Sequence, residues 1–111
     1  MGLRAGLLNR RVRIERRVDR VDEDGQVHQD WVRLADVWAR VEPLGGREGF
    51  GQQQYVATGD VRFTVRRLSG VSALCRIVHS GIAYDVVSVA EDTALDALLI
   101  IAKARADERA P

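Results

Sequence analysis

The strongest constraint on the fold is an alternation of apolar and charged residues in short segments. In residues 10–18, Val12 and Ile14 alternate with arginines and a glutamate. Residues 60–67 repeat this pattern around Phe63. A period of two is typical of β-strands that have one face in a core and the other in solvent. The chain is therefore predicted to form a β-sheet with one wet face.

The longest predicted strand, residues 27–42, changes phase near its middle. Val32 and Leu34 stand at even positions, whereas Val37, Ala39 and Val41 stand at odd positions. In a regular strand these two groups would point to opposite faces of the sheet. A β-bulge near Ala35-Asp36 is the simplest device that produces such a shift. A helix over residues 31–41 is the alternative, but no glycine ends it and β-branched residues are frequent, so a strand is favoured.

Turn residues divide the rest of the chain into further strands. Asp24-Gly25 and Ser80-Gly81 are suited to tight hairpins. Strands are also expected at residues 74–79, 82–89 and 98–105, although the alanines of the last segment would also suit a helix.

These segments predict an all-β fold, a small closed β-barrel of about six antiparallel strands, because closure hides both the apolar face and the strand edges. One domain is expected over residues 1–111, with the barrel in residues 8–105 and a loose C-terminal tail at 106–111. Residues 43–57 are too long and too polar for a hairpin turn. They are expected to form one long loop that can include a short helical turn.

Composition argues against several function classes. The net charge is +1, so general electrostatic attraction to nucleic acid or membranes is not expected. Cys75 is the only cysteine, which excludes an intrachain disulfide and a cysteine-based metal site; it is expected in the core. No apolar run approaches the about 18 residues of a membrane span, and residues 1–4 lack a signal region. We therefore expect a protein made in the cytoplasm with no membrane association.

Candidate catalytic and metal-binding residues are few. His28 and His79 are not at metal-ligand spacing from another ligand. Glu91, Asp92 and Asp96 form an acidic patch, but without the alternating oxygen ligands and central glycine of a calcium loop. The glycine-rich segment after the second strand lacks a Gly-Lys-Ser/Thr ending. The sequence therefore predicts no enzyme, no cofactor and no metal.

Arginines on two predicted strands raise a second hypothesis, a stand-alone barrel that binds single-stranded nucleic acid. Such a face needs aromatic stacking platforms, and Phe63 has core parity. Trp31 and Trp38 would face opposite sides unless the bulge brings them together. One is expected in the core, and the other would be an interface anchor if exposed. The arginines of this face are Arg11, Arg13, Arg17, Arg62, Arg66 and Arg67.

An ordered set of short motifs carries a resemblance. The most specific is Trp38-Ala39-Arg40-Val41-Glu42-Pro43-Leu44, preceded by Trp31 and Val37. The others are Leu8-Asn9-Arg10-Arg11-Val12-Arg13-Ile14, Asp24-Gly25, Arg76-Ile77 with Gly81, Tyr84-Asp85-Val86 and Ser88-Val89. Together they resemble the phage head-tail joining family, the stopper or head-closure proteins of tailed phages and gene transfer agents. The chain departs from that family at Thr58-Gly59-Asp60, where a Thr-His pair is usual, and in its alanine-rich C-terminal run.

The resemblance implies a virion protein that forms a ring, with six copies favoured over twelve. Its implied partners are itself, an adaptor or portal-side connector protein, a tail terminator or tail tube protein, and packaged DNA through nonspecific contact. Assembly would take place in the cytoplasm of the bacterial host. The long loop would project into the central channel of the ring. Its candidate channel residues are Gly45, Gly46, Arg47, Glu48, Phe50, Gln52, Gln53 and Gln54.

The ring would be held by a contact between two different faces of neighbouring copies. We expect a basic first strand on one side, acidic residues on the other and Trp38 as an anchor. The candidate basic residues are Arg11, Arg13, Arg17, Arg62 and Arg66, and the candidate acidic residues are Asp85, Glu91, Asp92 and Asp96.

Overall fold

The computed structural model describes residues 5–44 and 60–109. Most of these residues lie in six β-strands, which follow a single turn of 3-10 helix at Ala5–Leu7. This confirms the predicted all-β class. The strands are β1 (Arg10–Val21), β2 (Val27–Leu44), β3 (Asp60–Arg66), β4 (Cys75–His79), β5 (Ile82–Asp92) and β6 (Ala97–Arg109).

The six strands form one closed barrel in the order β1-β2-β3-β6-β5-β4. All neighbouring strands are antiparallel. The ring closes where β1 pairs with β4, with Ile14 opposite Ile77. Because every strand has a neighbour on both sides around this ring, the hydrogen-bonding groups of the barrel wall are paired.

The alternation seen in the sequence fills the barrel interior. Phe63 lies at its centre and packs edge-on against Tyr84, with ring centroids 5.1 Å apart. Both aromatic side chains are buried, and Cys75 is also buried, as predicted. The buried cluster comprises Val12, Ile14, Ala39, Val61, Phe63, Val65, Cys75, Ile77, Tyr84, Val86, Leu98, Ile100 and Ala102.

A β-bulge produces the predicted phase change in β2. Ile14 is paired with Ala35, whereas the next residue, Glu15, is paired with Arg33. Leu34 is therefore the extra residue on β2, one position before the predicted Ala35-Asp36. The strand interpretation of this segment is confirmed, and the helix alternative is wrong.

The bulge places both tryptophans on the outer side of the sheet. Ala39 is fully buried in the interior, so its neighbour Trp38 points outward, where it is 51% exposed. Trp31 is paired with Arg17 on the same outer side and is half-buried. The expectation that one indole lies in the core is therefore wrong. The extra residue at Leu34 reverses the side on which all preceding residues of β2 point.

The hairpin of β1 and β2 is longer than the barrel. β1 pairs with β4 only from Arg13 to Arg16, and β2 pairs with β3 only from Ala39 to Leu44. Residues 17–31 therefore form a two-stranded ribbon that extends past one end of the barrel, and we call this ribbon the arm. Consistent with it, the molecule measures 50 × 33 × 20 Å along its principal axes.

The observed turns and strand ends match the positions predicted from the sequence only in part. Ser80 and Gly81 both have positive φ, 54° and 80°, which is the geometry of the predicted two-residue hairpin turn. β2 continues through Pro43 and Leu44, both expected in the long loop, and residues 45–57 lie outside the described residues. β6 continues past the predicted end at residue 105 because β5 still pairs with it up to Arg109.

Candidate assembly surfaces

The predicted channel residues cannot be placed relative to the barrel. Gly45, Gly46, Arg47, Glu48, Phe50, Gln52, Gln53 and Gln54 all lie outside the described residues. Leu44, at the end of β2, is paired with Asp60, at the start of β3. This pair lies at the barrel end opposite the arm, because β2 runs from the arm to that end.

An exposed tryptophan lies between two arginines on the barrel wall. The guanidinium of Arg11 on β1 stacks over the Trp38 indole, 5.3 Å from the ring centroid. Arg66 on β3 comes one position after Val65, the partner of Ala39, so it faces outward like Trp38 at the next position along the neighbouring strand. We call Arg11, Trp38 and Arg66 the Trp38 wall. Tryptophan and arginine are the residues most enriched among energetically dominant interface contacts, so this wall suits a protein interface.

The other predicted basic residues of β1 differ in their surroundings. Arg13 lies 3.4 Å from Asp36 on β2 and 3.7 Å from Glu15 on its own strand. Arg17 is exposed on the arm, where it is opposite Trp31. Arg13 thus belongs to a charge network within the chain, whereas Arg17 presents its charge at the base of the arm.

Most of the remaining predicted interface charges have partners within the chain. Asp85 accepts a hydrogen bond from Arg105 Nε at 2.7 Å, and Arg62 donates one to Glu42 at 3.2 Å. Asp92 accepts a hydrogen bond from the backbone of Leu95. The pairs Arg62–Glu42 and Arg105–Asp85 are partly exposed, and such pairs contribute little to stability.

The acidic patch lies at the barrel end from which the arm extends. Arg67 lies 3.8 Å from Glu91 and 3.7 Å from Asp96, and its backbone N–H donates to the Asp96 carbonyl. These contacts tie the segment after β3 to the turn between β5 and β6. Across residues 5–44 and 60–109, no group of three or more His, Cys, Asp or Glu side chains is placed to hold a metal ion.

Sequence reasoning missed a buried ion pair on the outer wall. Arg76 Nε donates to Glu15 Oε1 at 2.7 Å, and the two residues are only 5% and 8% exposed. The Trp31 ring covers this pair, with the Arg76 guanidinium 4.3 Å from its centroid. We call Glu15, Arg76 and Trp31 the clamp. Because Trp31 belongs to the arm and Arg76 to the barrel, the clamp fastens the arm at its base.

One sequence signal pointed to the clamp. Arg76 stands between Cys75 and Ile77 in a segment with core character, which is an unusual place for a charge without a partner. Glu15 is the only acid among the alternating residues of the first predicted strand. The alternation assigned Glu15 to the outer face correctly. It did not show that side chains of the two neighbouring strands, Trp31 on β2 and Arg76 on β4, cover Glu15 there.

The two histidines have different environments. His28 Nε2 lies 2.6 Å from Asp22 Oδ2 near the tip of the arm, and this hydrogen bond is the main reason that the pKa of Asp22 is lowered. His79 packs edge-on against Phe63, with ring centroids 6.4 Å apart. Burial lowers the pKa of His79, the Arg11 backbone opposes this shift, and the charge of Arg10 adds to it.

The lowered pKa of His79 predicts a loss of stability in mild acid. The folded chain favours the neutral imidazole of His79. The stability that depends on this neutral form is fully present above the usual pKa of 6.5 and is lost as the pH falls below that value. We expect the urea midpoint to fall between about pH 7.5 and about pH 5.5. The variant His79→Phe should show a smaller fall over this interval. An identical pH dependence in the two proteins would contradict this assignment.

No helix within the described parts of the chain is long and apolar enough to cross a membrane. This finding is consistent with the β-strand content of those parts and concerns helices alone.

Comparisons with known proteins find relatives that match most of the chain. A family model described as phage head completion protein matches residues 3–105. The solution structure of protein SF1141 from Shigella flexneri 2a is similar, with a TM-score of 0.74, 23% identity, and coverage of 96% of this chain and 100% of that one. A chain from the virion of a native gene transfer agent particle has a TM-score of 0.64 and 26% identity, with coverage of 89% and 96%. No curated protein matches the sequence.

Proposed function

The chain belongs to the phage head completion protein family and is a structural protein of a phage-type virion, and we propose that it forms the stopper ring that joins head to tail. In this role it closes the filled head, retains the packaged DNA and presents a docking surface to the tail. It acts by binding and has no enzymatic activity.

One observation carries this proposal: the family match extends over residues 3–105, which include all of the barrel strands except the end of β6. The gene transfer agent chain adds support, because it is 26% identical and its structure comes from an assembled virion. The fold is compatible with the role. A closed barrel has few free strand edges, so it can be brought to high local concentration in a ring without edge-to-edge aggregation.

The proposed partners follow from the position of a stopper in the particle. The chain binds itself in a ring of six copies rather than twelve. An adaptor or portal-side connector protein lies on the head side, and a tail terminator or tail tube protein lies on the tail side. Assembly takes place in the cytoplasm of the bacterial host, before the particle is released.

The proposed channel element is the segment between β2 and β3. Its four glycines, Gly45, Gly46, Gly49 and Gly51, permit the backbone to rearrange as DNA enters or leaves. Contact with DNA in such a channel is nonspecific, and Arg47 supplies the positive charge for it. The remaining polar residues are available for pairing between neighbouring copies.

A second function is favoured by one observation, the Trp38 wall. An exposed indole beside arginines is the arrangement on which single-stranded nucleic acid stacks. Binding of short oligonucleotides over a range of salt concentrations separates the two functions. A nucleic-acid-binding barrel binds short oligonucleotides tightly at low salt and loses affinity steeply as salt rises, because counterions are released on binding, whereas a stopper that contacts DNA only within its ring binds free oligonucleotides weakly at every salt concentration.

Removal of the gene from a strain that produces the particles tests the proposed function. We expect negative-stain micrographs to show heads without tails beside unattached tails, together with a reduced DNA content of the heads. Complementation with the unaltered gene is the control and should restore tailed particles. Intact tailed particles with full DNA content in the deletion strain would contradict the proposal, and nucleic-acid binding would then be the leading function.

A further inference from the structure

The arm leaves apolar residues without a partner in the chain. Val21 and Val27 are paired with each other next to its tip and are 64% and 63% exposed. No third strand covers the arm, since neither β3 nor β4 reaches it. An isolated two-stranded ribbon is only marginally stable in water, so an arm of this length gains stability by docking on another surface.

The arm is strongly acidic. Its residues 17–31 contain five acidic residues and two arginines, a net charge of −3 when His28 is counted as neutral, and Arg17 stands at its base, away from the tip. Arg20 is paired with Asp30 at 2.7 Å, and Asp22 is paired with His28. Within the described residues, Asp19, Glu23 and Asp24 have no ion pair. The exposed valines are therefore flanked by negative charge.

The Trp38 wall has the complementary character. It combines an indole that is half exposed with the positive charges of Arg11 and Arg66. The wall therefore has an apolar centre with positive charges around it, and the arm tip has an apolar pair with negative charges around it. Such complementarity favours association of the two surfaces and fixes their relative orientation.

The two surfaces cannot meet within one chain. Val27 and Trp38 lie on the same strand, eleven positions apart, which places them about 35 Å from each other in an extended strand. The clamp at the base of the arm further prevents the arm from folding back on the barrel. Any contact between arm tip and wall must therefore join two copies.

We propose that the arm tip of one copy docks on the Trp38 wall of a second copy. Val21 and Val27 pack against the Trp38 indole, while Asp19 and Glu23 face Arg11 and Arg66. This proposal rests on the self-assembly stated in the proposed function. The contact joins two different surfaces, so each copy can bind one neighbour through its arm and another through its wall. Repetition of this contact gives a closed ring when the rotation from one copy to the next is a whole fraction of 360°. The clamp sets that rotation, because it fixes the direction of the arm relative to the wall.

Charge reversal in the assembled particle tests the contact. The arm variant Asp19→Arg with Glu23→Arg and the wall variant Arg11→Glu with Arg66→Glu are each introduced into the deletion strain. Each alone should lower the yield of tailed particles by at least about tenfold, since a loss of about 1.4 kcal/mol weakens binding tenfold. The four substitutions combined should restore most of the yield. Lys103→Glu, at an exposed position away from both surfaces, is the matched control and should have no effect.

Cross-linking provides a second readout that does not depend on particle yield. Val27→Cys and Arg66→Cys are combined in a Cys75→Ala background, and purified particles are treated with a short bis-maleimide. We expect a ladder of covalent multimers up to the full ring, whereas each single-cysteine variant stays monomeric. If particles contain the chain but show neither the ladder of multimers nor the recovery of yield in the four-substitution variant, the arm contact is wrong and the proposed function still stands. Particles that assemble normally without the chain overturn the proposed function, and the arm contact with it.

Discussion

Replacement of Arg76 by methionine is expected to lower the free energy of unfolding by about 3–5 kcal/mol, because it leaves a buried carboxylate without its partner. Glu15 is only 8% exposed and accepts its short hydrogen bond from Arg76. Arg13 lies 3.7 Å from Glu15, too far to replace that hydrogen bond. The same substitution also removes the cation over the Trp31 ring, which loosens the base of the arm.

Urea unfolding of purified protein measures this effect, and two further variants control for it. Arg62→Met breaks a partly exposed pair with Glu42, so it should cost no more than about 1 kcal/mol. Glu15→Leu combined with Arg76→Met removes both charges, and it should recover most of the stability lost in Arg76→Met. A loss in Arg76→Met as small as that in Arg62→Met would mean that the clamp is not a buried ion pair.

Replacement of Phe63 by alanine is expected to cost about 3–5 kcal/mol, because it opens a cavity at the centre of the barrel. Phe63 is fully buried, and its ring packs against Tyr84 on β5, which is separated from β3 by β6 alone. The barrel wall is held by strand pairing all around, so it cannot collapse to fill the space.

The matched variants for this position separate cavity size from loss of the ring. Phe63→Leu retains most of the volume and should cost about 1.5 kcal/mol or slightly more. Val87→Ala, at an exposed position on β5, should change stability by less than about 0.5 kcal/mol. Equal losses in Phe63→Ala and Val87→Ala would contradict the placement of Phe63 at the centre of the core.

The fold was largely predictable because its main signal is local. The alternation around Val12 and Ile14, and again around Phe63, depends only on which face of a strand is buried. The phase change in β2 was visible for the same reason, since an extra residue such as Leu34 shifts the pattern that follows it. Closure of the barrel followed from the need to bury one face and to remove the strand edges.

The clamp and the arm were not predictable because they depend on register. Whether Trp31 covers the pair of Glu15 and Arg76 is decided by the alignment of three strands, one of them distant in sequence. The arm exists because β1 and β2 pair with each other over more residues than with β4 and β3, and no local pattern reveals where a neighbouring strand stops. Period-two patterns identify strands but not their partners.

The candidate site was predictable in composition and less so in detail. Trp38 was expected as an exposed anchor on condition that it left the core, and it is exposed. The charges of Asp85 and Arg62 were expected at an interface, and the structure adds intrachain partners, Arg105 and Glu42, that only side-chain geometry identifies. The assignment of these charges to the ring contact remains a prediction.

The most direct test of head closure is the DNA content of heads before and after the purified chain is added back. Purified protein and then isolated tails are added to freshly lysed cells of the deletion strain, nuclease is added afterwards, and protected DNA is measured together with the fraction of tailed particles. Head completion by this chain predicts that both quantities rise with added protein, and that heat-denatured protein raises neither. Equal DNA protection and equal tail attachment with and without the protein would contradict a role in closing the head.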